Sequence, residues 1–131
     1  MIVTDTSALV GFLVGGDIAA ERLRALLTRE IPAVVRGIEL DCASVLSALT
    51  RRHHLPPTSA DRALTLLSRL NLRCYDPAPL LPRIRELDPH LAPPDACHIA
   101  LAETLGVPLL TMDRRLVNIP GVRCPTRLIR R

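Results

Sequence analysis

At 131 residues, 48% of them hydrophobic and 23% charged, the chain is long enough for one packed core and too short for two ordinary domains. No apolar run approaches the ~18 to 20 residues of a membrane span, and the opening MIVTDTSALVG has no basic flank leading an apolar signal segment, so a cytoplasmic protein is expected. The net charge of +4 rests on 17 arginines and no lysine, which excludes lysine-dependent chemistry, and the presence of one Tyr, one Phe and no Trp excludes base stacking on aromatic platforms.

Residues 1–5, MIVTD, read as a short buried strand ending on an acid, followed by a Thr-Ser turn into an apolar stretch over 8–14. Gly15 and Gly16 interrupt it. Asp17 can then cap a helix over 18–29, with Leu23, Leu26 and Leu27 on one face and Glu21, Arg22, Arg24 and Arg29 on the other. A second strand is predicted over 33–36, and after Gly37 a helix through about 52, because Ile38, Cys42, Val45, Leu46 and Leu49 keep helical spacing. Pro56 and Pro57 stop that helix; Thr58 or Ser59 can cap the next, whose face is Ala63, Leu64, Leu67 and Leu70. LRCY at 72–75 is strand-like. Asp76-Pro77 opens a helix carrying Leu80, Leu81, Ile84 and Leu87, kept short or irregular by Pro79 and Pro82. Pro93-Pro94-Asp95 opens another, closed by Gly106, and VPLLT (107–111) and VRCP (122–125) are the last strands. Strands alternating with helices at this pitch imply an α/β fold with a parallel sheet covered on both faces, in one domain spanning 1–131. Cys42, Cys74, Cys97 and Cys124 form no C-x-x-C pair, so reduced and mostly core side chains are expected rather than a zinc site or disulfides.

In such a sheet, ligands bind beyond the carboxyl ends of the strands, and the polar residues that fall there are mostly aspartates. Asp5 ends the first strand, Asp41 lies in the first turns of the helix after the second, Asp95 opens the helix before VPLLT, and Asp113 follows that strand. Carboxylates gathered at one edge repel unless a cation neutralises them, and oxygen ligands favour Mg²⁺ or Mn²⁺, which suit phosphodiester hydrolysis. Taken singly, Asp95 is also a conventional N-terminal helix acid and Asp113 a turn residue, whereas an acid ending a buried strand needs a partner. His98 reads as a histidine packed beside the sheet, and His53-His54 as a helix end.

The opening IVTDTSALV, the segment PPDACHIALAETLGVPLLTMDRRL and the basic end LIRR resemble the PIN domain, and in size and spacing the VapC toxins of bacterial toxin-antitoxin pairs. The resemblance covers essentially the whole chain and implies a three-layer fold and a metal-dependent endoribonuclease leaving a 5′-phosphate and a 3′-hydroxyl. Asp5 and Asp95 match the family's metal-binding acids and Asp113 the acid after the last core strand; Ser7 and Thr111 match its supporting hydroxyl residues. The family expects a glutamate in a pattern like E-V-L-S-A-L. An ungapped count sets D-C-A-S-V-L on it and gives Asp41, while matching V-L-S-A-L-T-R-R gives Ser44; Asp41 needs no insertion and keeps an acid. Arg114 and Arg115 are expected phosphate contacts.

A phospho-receiver domain requires a lysine, and a dinucleotide-binding module requires a Gly-rich first turn where this chain has TDTSALVG, so the sequence argues against both. The alternative is a degenerate PIN domain that binds RNA or a protein without cutting. A mean hydropathy of +0.24 in so short a chain points to a buried interface. The resemblance implies a homodimer and a VapB-like antitoxin whose arginine could reach the acids. The helices at 18–29 and 38–52 are candidates for the antitoxin surface, with a helical arm at 59–88 for dimerisation.

Overall fold

A computed structural model describes residues 1–131. In chain order the elements are β1 (Ile2–Thr4), α1 (Thr6–Val14), α2 (Ile18–Arg29), β2 (Pro32–Val35), α3 (Ile38–Arg51), α4 (Pro57–Arg69), β3 (Arg73–Tyr75), α5 (Leu81–Leu87), α6 (Pro93–Leu105), β4 (Leu109–Thr111) and β5 (Thr126–Leu128). Short 3₁₀ turns, Ala78–Leu80 and Arg114–Leu116, precede α5 and follow β4.

The five strands form one parallel sheet in the order β3-β2-β1-β4-β5, so both neighbours of β1 are reached by crossovers. Alternation along the strands sorts the core into layers. Val3, Ala33, Val35 and Leu109 pack against Ile84, Leu87, Ile99 and Ala100 of α5 and α6. Val34 faces the other way, against Leu9, Leu13, Ile38, Leu46 and Leu67 of α1, α3 and α4, and Ile2 and Leu110 join Ala8 and Leu23 on that side. Helices therefore cover both faces, which is the three-layer α/β arrangement read from the sequence. No helix is long and apolar enough to cross a membrane.

The helix over 18–29 forms as predicted, with Asp17 accepting a hydrogen bond from the Ala20 amide at 2.8 Å, and Gly106 (φ 67°) closes α6 in the left-handed conformation. Three local expectations need correcting. The last strand is Thr126–Leu128 rather than 122–125; the Pro125 carbonyl accepts from Leu109, but the backbone of Arg123 is drawn instead toward Glu103, leaving 122–125 as a connection. Helix α4 starts at Pro57 without a side-chain cap from Thr58 or Ser59, because a proline at its first position needs no donor satisfied there. Of the cysteines, all free, only Cys42 is core; Cys74 sits exposed on the edge strand β3, and Cys97 and Cys124 are half-buried. Within 59–88, the strand-like LRCY segment becomes β3 at the sheet edge, between α4 and α5.

Candidate active site

Parallel pairing sets Val3 beside Leu109 and Thr4 beside Leu110, so the residues leaving β1 and β4 emerge side by side at the carboxyl edge of the sheet. Asp5 is the N-cap of α1 and only 3% exposed. Its Oδ1 accepts from the Ala8 amide at 2.9 Å and from Ser7 Oγ at 2.8 Å, while its Oδ2 accepts from Thr111 Oγ1. Ser7 Oγ in turn accepts from the Met112 amide, and Thr111 Oγ1 from the Asp113 amide, each at 2.9 Å. The two hydroxyls thus lock the Asp5 rotamer and stitch the turn after β4 to the turn after β1.

Burial pushes the Asp5 carboxyl above its ordinary pKa; the hydrogen bonds from Thr111, Ala8 and Ser7 pull the other way, and the nearby charge of Asp113 adds to the rise. Asp113 is held below the usual carboxylate range by the Arg115 guanidinium. Arg115 Nη2 lies 2.6 Å from Asp113 Oδ2 and 3.5 Å from Asp95 Oδ2, so one cation joins two of the predicted acids. Asp95, in the first turn of α6, also complements that helix's dipole.

Asp41, exposed in the first turn of α3, lines a cleft of about 360 Å³ with Arg36, Pro94, Cys97 and His98. His98 is 2% exposed, and neither of its ring nitrogens has a partner. Burial drives its pKa down to about 4 against the opposing pull of Asp41 and Asp95, so the ring is neutral. Asp41 and Asp95 both act on this one buried imidazole; Ser44, one turn along α3, is exposed and makes no side-chain hydrogen bond.

The four aspartates share one end of the sheet, yet no three carboxylate, imidazole or thiol side chains stand close enough together to grip an ion. Arg115 occupies the space between Asp113 and Asp95 that a shared cation would take. The donor set nevertheless suits a hard divalent cation: carboxylates, one of them desolvated and held by two hydroxyls, with a guanidinium standing in as counter-charge. Asp5, Asp95, Asp113 and, across the cleft, Asp41 are the groups that could hold it.

Beside Ser7 a second groove, about 430 Å³, runs between Val45, Leu49 and Met112 and is rimmed by Arg114, Arg130 and Arg131. Arg130 and Arg131 join the groove only through the fold; their signal in the sequence is the basic run following an apolar pair, LIRR. Thr111→Val should cost about 1–3 kcal/mol, because it strips a donor from a buried carboxylate and an acceptor from the Asp113 amide without changing volume. Denaturant unfolding of the variant measures this, and Ser in place of Val should restore most of the loss.

An all-parallel sheet whose central strand and its β4 neighbour deliver acids to one carboxyl edge, joined there by an acid from the preceding helix, defines the class. Residues 2–122 match the PIN domain, and the chain belongs to that family. It is 34% identical to Ribonuclease VapC9 of Mycobacterium tuberculosis over 131 residues, all of both chains. Among solved structures it resembles Mycobacterium tuberculosis VapC20, described as a Sarcin-Ricin loop cleaving toxin (TM-score 0.65, 17% identity, 87% of this chain and 91% of that one). It also resembles a chain of DNA-bound VapBC from Salmonella typhimurium (TM-score 0.64, 19% identity, 95% of this chain and 96% of that one).

Proposed function

We propose that this chain is the ribonuclease toxin of a VapBC-type toxin-antitoxin pair, hydrolysing RNA phosphodiester bonds with a Mg²⁺ or Mn²⁺ ion held by carboxylates. The observation that carries the reading is the pairing of Asp5, buried and hydroxyl-locked, with Asp95 and Asp113 at one sheet edge, in a chain related over its full length to a named ribonuclease. Asp5 and Asp95 are the proposed metal ligands, and Asp41 and Asp113 complete the acidic set. When bound, the ion would supply a Lewis acid that lowers the pKa of water and offsets charge developing on the phosphoryl oxygens.

The remaining work falls to the chain's own side chains. Ser7 and Thr111 keep the Asp5 carboxylate in one orientation, and Thr111 fixes the first amide of the turn that carries Asp113. Arg114, Arg130 and Arg131 line the groove along which a phosphodiester backbone would lie; such contacts set register without reading sequence. The proposed products are a 5′-phosphate and a 3′-hydroxyl.

Two protein partners belong to the same reading. Leu81, 58% exposed, lines the Asp41 cleft, and Leu40, 75% exposed, precedes Asp41 on α3; these uncovered apolar side chains support a second copy of the chain. A small antitoxin is the other partner, supported by the likeness to solved VapBC complexes.

The test is end-mapped cleavage of total RNA by purified protein. Cleavage should require Mg²⁺ or Mn²⁺, stop with EDTA and resume when metal is restored in excess. RNA binding with no cleavage at any metal concentration would leave a binding-only domain.

A further inference from the structure

We propose that Arg115 is the resident counter-ion of the acidic site: its guanidinium holds Asp95 and Asp113 when no divalent cation is bound, is displaced when one enters, and is then free to take a substrate phosphate. The inference rests on the metal-dependent reading above and adds to it an order of events.

The geometry separates the anchoring of this residue from the placement of its charge. The Arg115 amide donates to Asp113 Oδ1 at 2.9 Å, pinning the backbone through the 3₁₀ turn. The side chain folds back independently: Nε lies 3.1 Å from both Asp113 oxygens, and Nη2 bridges to Asp95. A guanidinium spanning two carboxylates in this way occupies the electrostatic role of a cation shared between them.

The same side chain is 69% exposed, so neither packing nor desolvation holds it in place. Ion pairs in such surroundings are weak, and a divalent ion, with twice the charge and no rotamer entropy to lose, should displace it readily. The released fork stays tethered at the mouth of the site, where it can meet a phosphate. Arg114, its immediate neighbour, forms no ion pair and lines the groove beside Ser7 and Met112. The two arginines, adjacent in sequence, therefore have different tasks.

Mn²⁺ titration of the purified full chain, with free ion followed by electron paramagnetic resonance, tests the idea without using activity. Arg115→Gln should tighten Mn²⁺ binding about threefold, the scale of an exposed ion pair removed from competition. Arg114→Gln removes the same net charge and should change the affinity much less, which separates a specific counter-ion from the general field. In ¹⁵N spectra, the Arg115 Nε–H signal, identified by its loss in Arg115→Lys, should shift on Mg²⁺ addition and saturate with metal occupancy. Unchanged or weaker Mn²⁺ binding in Arg115→Gln, equal tightening in Arg114→Gln, or an Nε–H signal indifferent to Mg²⁺ would each overturn the proposal while leaving metal-dependent cleavage intact. Wild-type protein that binds no Mn²⁺ would overturn both.

Discussion

Asp5→Asn is expected to reduce RNA cleavage by about a hundred- to a thousandfold or more while leaving the protein folded and no less resistant to heat. The amide is isosteric, and its oxygen can keep the acceptor role toward Ala8 and Ser7, so the start of α1 survives. What is lost is the negative charge at the one position where the site is dry. Wild-type protein bears a cost for that charge. The folded-state pKa of Asp5 lies above its ordinary 3.8, so its carboxyl favours folding fully only below that value and loses the contribution as pH rises through the raised pKa. The penalty grows as pH rises above the ordinary carboxylate range, and an uncharged side chain removes it. Melting in EDTA should therefore show the variant at or above wild type at pH 7, with the difference shrinking as pH falls toward 4. Retained cleavage by folded Asp5→Asn would defeat the site assignment.

The second large effect is expected far from the acids. Glu103 on α6 accepts Arg83 Nε at 2.7 Å and Nη2 at 3.1 Å, together with the Arg123 amide at 2.6 Å, and Arg83 also donates to the Gly121 carbonyl at 2.7 Å. One mostly buried carboxylate thus joins α5, α6 and the connection leading to β5. Glu103→Ala leaves the half-buried Arg83 guanidinium without its main partner and should cost about 2–3 kcal/mol, lowering the melting temperature by about 10 °C. Because β5 leads directly into the groove that contains Arg130 and Arg131, RNA affinity should also fall at temperatures where the fold is intact. A variant that melts with wild type would show that the network is surface decoration.

The sequence discloses the parts of this molecule governed by short-range rules. Asp17 before an amphipathic run, Pro93-Pro94 at a helix start and Gly106 at its end each act within one helical turn, and each element forms where its signal stands. Asp5 is legible for a related reason: an apolar strand that ends on an acid creates a charge that the fold must answer. Residues 122–125 show the limit. Their apolar alternation is no stronger than that of 126–128, and the choice between them is made by Glu103, whose hold on Arg123 is twenty residues distant in sequence. The Arg115 bridge was illegible for the same reason, since adjacent arginines look alike until a turn sends one side chain to the acids and the other to a groove.

The pairing of β1 with β4 also bears on when activity can arise during synthesis. Asp5 and Thr111 are 106 residues apart, and the hydroxyl that orients the first acid lies, with Asp113, in the final fifth of the chain. While translation is still upstream of β4, β1 can pair with β2 on one edge but exposes its other edge, and Asp5 has neither Thr111 nor Asp113 nearby. A nascent chain on the ribosome therefore lacks the partner that orients Asp5 until β4 is made. On the proposed assignment of Asp5, Asp95 and Asp113, an emerging chain of this architecture passes through most of its own synthesis without a complete acidic site.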